Sequence, residues 1–532
     1  MVNHSERSNL LAALVVLSIA LAFPRPIVAF VEHHLGASRT EQGRRISRTT
    51  TTTTTTSLKV DGQNMAGGSR HLLGDVIRSL QPKYLKQVAE SIKSNVEGMP
   101  KPTTDNLDDF CNSMKAPSSD EIRLTLKQQQ TKEEREFRAH LEDGSGPPSA
   151  LATKRLFGVV KERVVLYRDW QPGVPTVKKC GLHWKKMQPN GNLPCAIIDG
   201  KVYSESNDIV EALDAIGAPG TPILRPNDKE KEIRQLCDNG RNSLERRLYA
   251  QWMWWLTGVR RPQEYKQLYE ELLDEMEEAL SNEPGKFFLG DELSIVDIRF
   301  IPFIERQVAS FAYFKGYDIR DGSRPKILTW LQAMESRPSY QATKSDYYTH
   351  SQSLPPQLSA DCALEDTCDD MKGNIESLPI GDGISSWVEP GWGWVRPEQA
   401  GREAVERLCH APDRIVKFSA RGSGVAGFPA ASAPLADPAA VPNEELYPGV
   451  DVLLRHIASS ILGMKTTSLD ESIHILDEPN TKLLFKSLDY LRARIGVPRD
   501  MSYPAAAVLR KELVEVSKAL QTRRSTTGAL LT

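Results

Sequence analysis

A chain of 532 residues exceeds one ordinary domain, so roughly two to four folding units are expected. Hydrophobic residues at 40% and charged residues at 26% are the balance of soluble globular protein, and a net charge of −2 argues against a nucleic-acid-binding body. The seven cysteines are too few and too scattered for a disulfide framework, and the close pairs Cys180/Cys195 and Cys362/Cys368 match no zinc-ligand spacing, so no metal site is expected.

Leu10 to Phe23 is an apolar run broken only by Ser18, short for a bilayer span and right for a signal-peptide core. Val31 to Val60 is rich in Ser, Thr and Arg, poor in acids, and ends in the run Thr49–Thr56, a transit-peptide composition. Together, 1–30 and 31–60 resemble the two-part presequence of algae with secondary plastids of red-algal descent. A plastid destination is therefore expected, with the secretory pathway as the alternative, and no membrane span in the mature chain. Unpaired cysteines fit an oxidising compartment poorly.

Residues 61–160 carry helical patterns without recognisable chemistry. His71 to Val96 places Leu73, Val76, Ile77, Leu80, Leu85, Val88 and Ile92 at helical spacing, split by Pro82 and ended by Pro100 and Pro102. A charged helix over Thr131–Leu141 closes at Gly144–Pro148. Arg163 to Tyr167 then reads as a buried strand.

The densest stretch runs from Pro189 to Leu213. Leu193 to Ile198 is short, apolar and β-prone, and Lys201 to Tyr203 can return beside it through the tight turn Asp199-Gly200. Ser204, Glu205 and Ser206 open a helix with Ile209, Leu213 and Ile216 on one face. A helix N-terminus facing the turn before a strand is a natural cradle for a carboxylate.

From about Pro219 the pattern is helical. Arg241 to Gly258 carries Tyr249, Trp252, Trp254 and Trp255, and Lys266 to Leu280 repeats Leu268, Leu272, Met276 and Leu280. In Phe287-Phe-Leu-Gly-Asp-Glu-Leu-Ser-Ile-Val-Asp-Ile298, Ser294 is an expected N-cap with Asp297 placed to reach back, and Leu293 and Ile298 hold the positions of a hydrophobic staple. Ile301–Arg306 continues that helix, and Pro325–Met334 makes another. Residues 351–400 read as a Pro/Gly/Asp-rich connection, although Trp387, Trp392 and Trp394 suggest some packing. Beyond 401, helix faces are traced by Val450–Leu462, Leu483–Ile495 and Ala505–Leu520.

Two of these motifs, in this order and separation, resemble the glutathione transferase family over about Arg163 to Thr343. The first is the strand opened by Pro194 with its hairpin and capped helix; the second is the Ser-x-x-Asp box after Phe-Leu-Gly. The resemblance implies a thioredoxin-like unit that binds glutathione as co-substrate, with Leu193 pairing its backbone, Pro194 cis, and Glu205 and Ser206 holding the γ-glutamyl end. It implies an all-helical second domain in which Tyr249, Trp252 and Trp255 wall a pocket for a hydrophobic or disulfide co-substrate, although a plain core describes those aromatics equally well. Three Trp within four residues cannot all face one core, so at least one should be exposed or line a pocket. The family also admits a homodimer. Residues 401–525 look like the C-terminal extension of some algal glutathione transferase-like proteins, which are close to the omega type.

The sequence departs from the family where the chemistry sits. Only Trp170 to Met187 separates the first strand from the Gln188-Pro-Asn-Gly turn, and a parallel crossover alone takes about a dozen residues or more. Pro172, Gly173 and Pro175 disfavour a helix there, and no Cys-Pro-x-Cys stands near Asp169. A missing exon, a natural remnant or relocated chemistry would each explain this. For the last, Cys180 is the candidate catalytic thiol, because Lys178 and Lys179 favour its thiolate and His183 is close in sequence; a plain loop cysteine is the alternative. Cys195 reads as core. His183 and His410 support no catalytic role.

The expected fold class is α+β, mostly α: an incomplete thioredoxin-like α/β unit (161–217), an all-α glutathione transferase C-terminal domain (218–350), a linker (351–400), and helical extensions at 61–160 and 401–525. The expected activity is glutathione conjugation or thiol transfer. The alternative is a non-catalytic binding or assembly protein on the same fold.

Overall fold

The computed structural model describes residues 95–96, 98–136, 164–167, 195–198, 200–203, 206–215, 224–337, 340, 344–358, 362–365, 368–377, 389, 399–426, 440–466 and 468–528. The chain divides into Met1–Met99 and Pro100–Thr532, and almost everything described belongs to the second unit. The expected presequence, the helices over 71–94 and the tryptophans at 387, 392 and 394 lie outside the described residues.

The architecture is mostly helical with one small sheet. Strands β1 (Val164–Tyr167), β2 (Cys195–Ile198) and β3 (Lys201–Tyr203) pair antiparallel in the order β1-β2-β3. The register sets Val164 opposite Ile198, Tyr167 opposite Cys195, and Ile198 opposite Lys201. The two-residue connection from β2 to β3 requires a residue with positive φ, and Gly200 supplies it at +79°. The helix that follows, Ser206–Ala215, packs against β2 and β3 and buries Ile209.

Two hydrophobic cores organise the helices. The first is built by helices at Leu244–Thr257, Pro262–Ser281, Ile295–Lys315 and Pro325–Glu335, within the region expected to be all-helical. Ile295–Lys315 is apolar on nearly every side, as a central helix must be: Val296, Phe300, Ile304, Val308 and Phe311 are all buried. It stops at Gly316, whose left-handed φ of 59° lets its N–H return to the Phe311 carbonyl. The stretch 351–400 read as a linker instead holds most of the helix Tyr347–Leu358 and the helix Asp369–Ser377, and its Leu354, Cys362 and Ile375 join this first core beside Tyr347 and Tyr348. Its polar and Pro-rich composition hid these apolar anchors.

The second core joins segments far apart in sequence. Helices Thr104–Met114 and Ser119–Gln129 bury Leu107, Phe110, Met114, Ile122 and Leu126 among residues of Ala400–His410, Tyr447–Ile461, Glu478–Arg492 and Tyr503–Gly528. The N- and C-terminal extensions, read separately from sequence, thus share one core. In order, the helices used below are α1 (Thr104–Met114), α2 (Ser119–Gln129), α3 (Ser206–Ala215), α4 (Leu244–Thr257), α5 (Pro262–Ser281), α6 (Ile295–Lys315), α7 (Pro325–Glu335), α8 (Tyr347–Leu358), α9 (Asp369–Ser377), α10 (Ala400–His410), α11 (Pro412–Ser419), α12 (Tyr447–Ile461), α13 (Glu478–Arg492) and α14 (Tyr503–Gly528). Among the described residues, no helix is long and apolar enough to cross a membrane and no cluster could hold a metal ion.

Candidate functional site

Of the residues expected to cradle a small thiol peptide, Ser206 is placed: it is the first residue of α3, which lies against β2 and β3. Leu193, Pro194, Glu205 and the candidate thiol Cys180 lie outside the described residues. The α3 element is fastened to the helical region by Arg225. Its guanidinium donates to Glu211 on α3 at 3.3 Å, to both oxygens of Glu230 at 3.1 and 2.8 Å, and to Asp238 at 2.6 Å. Arg299 on α6 also binds Asp238 and reaches Glu245 at 3.4 Å. Burial pushes the Asp238 carboxyl up, but the two guanidiniums outweigh it and hold the group below its ordinary range.

Ser294 is the N-cap of α6. Asp297 is fully buried and accepts four hydrogen bonds: from the Ser294 N–H (2.9 Å) and hydroxyl (2.6 Å), the Phe288 N–H (3.2 Å) and the Trp330 indole N–H (2.8 Å). One carboxylate therefore ties the turn before α6, the start of α6 and α7 together. Burial pushes its carboxyl up, and the four donors pull it part of the way back. The box works structurally, holding the helix that supplies one wall of the candidate pocket.

The aromatic residues of α4 divide. Trp252 and Trp255 are 2% and 1% exposed, and both indole N–H groups are satisfied, by the Ser310 hydroxyl and the Glu365 carboxylate at 2.9 Å each. They belong to the core. Trp254, half-buried, stacks on Tyr265, and this is the tryptophan that leaves the core face. Tyr249 is also half-buried. Its ring meets Trp252 edge-on at 5.7 Å and Phe303 of α6 at 5.3 Å. Burial pushes its hydroxyl up to about 12, against the pull of the nearby Arg306 and Arg246 guanidiniums. Sequence reading passed over Phe303, Arg246 and Arg306. The usable signal was spacing: Arg246 and Tyr249 are three apart on α4, and Phe303 and Arg306 three apart on α6, so each pair shares a helix face.

Comparison with known proteins gives this region a relationship. Residues 243–333 match the model of the glutathione S-transferase C-terminal domain. Glutathione S-transferase L1 of Arabidopsis thaliana is 34% identical over 164 residues, covering 30% of this chain and 64% of that protein. Protein IN2-1 homolog B of Oryza sativa is 30% identical over 172 residues, covering 30% and 63%. The chain thus spans a little under two thirds of the length of these relatives. Among solved structures, a trimeric glutathione transferase of Leishmania (TDR1) aligns over 44% of this chain and 57% of its own, at 19% identity and a TM-score of 0.30. Ure2p5 from Phanerochaete chrysosporium aligns over 34% and 91%, at 20% identity and a TM-score of 0.26. The likeness lies in residues 243–333, which match the glutathione S-transferase C-terminal domain, within a stretch that is similar to these plant relatives.

Proposed function

We propose that this chain binds glutathione and uses it in conjugation or thiol transfer. The supporting observation is the sequence of elements: β2, a Gly200 turn, β3, and a helix beginning at Ser206, followed by the matched C-terminal domain. In this reading Leu193 pairs its backbone with the cysteinyl part of glutathione, opposite the turn of a cis Pro194. Glu205 and Ser206 hold the γ-glutamyl carboxylate against the start of α3, where exposed N–H groups favour an anion. Cys180 supplies the reactive thiol: its thiolate attacks the glutathione sulfur of a mixed disulfide and becomes glutathionylated, releasing the other thiolate, and a free glutathione thiolate then attacks that new disulfide, restoring the Cys180 thiolate and leaving as glutathione disulfide. The co-substrate lies against Tyr249 on α4, with Trp252 and Trp255 backing that wall from the core. A presequence over 1–60 carries the chain to the plastid, and a homodimer is its working assembly.

Isothermal titration of the mature chain with glutathione tests this reading. Heat at millimolar ligand or tighter, accompanied by a thermal shift, is expected; neither signal at millimolar glutathione defeats it. Deglutathionylation of a peptide mixed disulfide, abolished by Cys180→Ser, tests the assignment of the thiol. One observation favours a non-catalytic binding role: only 168–194 connects β1 to its antiparallel neighbour β2, less chain than an intervening helix, strand and helix need. Binding of glutathione without turnover of any conjugation or thiol-transfer substrate would select that second reading.

A further inference from the structure

Between α3 and the helical region, charge alternates along one line of side chains. Arg225 stands on the connector after α3, and the backbone beside it is pinned: the Leu224 carbonyl accepts the N–H of Ile295, the first residue of α6, at 2.8 Å. From that fixed point all three guanidinium nitrogens are used. Nη1 donates to Glu211 of α3 at 3.3 Å, Nε and Nη2 to the two oxygens of Glu230 at 3.1 and 2.8 Å, and Nη2 also to Asp238 at 2.6 Å. Asp238 ends the π-helical turn Arg234–Asp238 and receives Arg299 of α6 as well, which in turn reaches Glu245 of α4 at 3.4 Å. The order Glu211, Arg225, Asp238, Arg299, Glu245 thus ties α3 to both α6 and α4. The apolar share of this link is small: among the described residues, Val210 is the one apolar side chain of α3 packed against the first core.

We infer that Arg225 is a positioning residue for glutathione: by gripping Glu211 it fixes α3, and with it the Ser206 end of that helix, relative to α6 and α4. This role rests on glutathione being held at Ser206, and adds what aims that subsite. Arg225 reaches α3 at Glu211, five residues into the helix, and so acts through the helix on its first turn. The Glu211–Arg225 pair is open to solvent on the Glu211 side and contributes little to folding. Alignment is more demanding than folding, because a misplacement of about 1 Å can cost a site about a hundred-fold. Lysine cannot replace this arginine fully, since one ammonium nitrogen does not span the positions that three guanidinium nitrogens serve.

The test is isothermal titration of the full chain and its variants with glutathione. Glu211→Gln, at an exposed position and so safe for the fold, should weaken glutathione about three-fold. The sign is diagnostic: removing a carboxylate near an anionic ligand tightens binding if charge alone acts, and weakens it if the carboxylate holds the helix in place. Arg225→Gln should cost about ten-fold, because it also leaves Glu211, Glu230 and Asp238 facing one another, and Arg225→Lys should fall between. Adding Glu211→Gln to Arg225→Gln should cost nothing further. Lys229→Gln, which breaks the neighbouring pair with Glu283 and has no link to α3, is the control and should stay within about 1.5-fold of the parent. Amide exchange in 206–215 should rise in Glu211→Gln while the melting temperature stays at the parent's value. Unchanged or tighter binding in Glu211→Gln, or an equal loss in Lys229→Gln, overturns the inference and leaves glutathione binding standing. No binding by the parent itself overturns both.

Discussion

Asp297 shows how much one side chain can hold. Its two oxygens serve four donors on three pieces of chain, so Asp297→Ala strands the buried Trp330 indole N–H and the Phe288 N–H together. We expect a loss of about 3 kcal/mol or more in urea unfolding, well beyond the roughly 1 kcal/mol of an ordinary helix cap. A loss within about 1 kcal/mol would show that the site is only a cap. Glu305 makes the complementary case. Burial would raise its carboxyl, but the His350 imidazole (2.7 Å), the Tyr340 hydroxyl (2.7 Å) and the Ser345 N–H (2.8 Å) outweigh it and hold the group below its ordinary value. A carboxylate depressed in the folded state contributes stability above its unfolded pKa of about 4.3, and loses it as pH falls through the folded value. The melting temperature should therefore drop on acidification below about pH 5, and Glu305→Gln should flatten that slope while lowering the plateau. A variant with the parent's acid-side slope would place the titration elsewhere.

At the level of elements, what could be read from the sequence followed the strength of each periodic signal. Val450, Leu453, Leu454 and Ile457 repeat at helical spacing, and α12 is where that repeat puts it. The Asp199-Gly200 turn and the Ser294–Asp297 box announce themselves through residue chemistry, and the hairpin and the start of α6 follow from them. The helices α1 and α2 were harder. Thr104–Met114 has only Leu107, Phe110 and Met114 as anchors among polar residues, and its partners lie more than 300 positions away on α12 and beyond. No local pattern carries such a pairing, nor the meeting of Phe303 with Tyr249 across two helices. The pairing has a direct consequence. Phe110 is 0% exposed, so Phe110→Ala should cost about 3–5 kcal/mol and, although it lies in the N-terminal segment, should raise amide exchange in α12 and α13. Exchange confined to α1 would mean that the segment rests on the bundle without sharing its core. The Thr103 N–H donates to Asn480 Oδ1 and the Asn480 Nδ2 donates to the Thr103 carbonyl, each at 3.0 Å, and the Asn443 side-chain amide donates to the Pro100 carbonyl at 2.9 Å; these bonds argue for sharing.

At the scale of the whole molecule, the question is what joins the first core to the second. The boundary is polar and buried. Arg510 on α14 and Asp346 before α8 are both fully buried and bonded at 2.5 Å; the same guanidinium donates to the Thr349 hydroxyl (2.9 Å) and the Ile495 carbonyl (2.6 Å) and lies 4.3 Å over the Tyr348 ring. Ser345 and Thr349 add bonds to the carbonyl and N–H of Val497 at 2.5 and 3.1 Å. A buried ion pair stabilises little against an apolar replacement, because both charges lose water, yet removing one partner leaves the other charge buried alone. Arg510→Met should therefore cost about 3–5 kcal/mol, and Arg510→Met/Asp346→Leu should recover much of that loss. The two cores should unfold in one transition in the parent, and the single variant should separate it into two, because the second core loses its fixed contact while its own Leu, Val and Ala packing stays intact. Equal stability of single and double variants, or two transitions already in the parent, would show that Arg510 is not the fastening between the first core and the second.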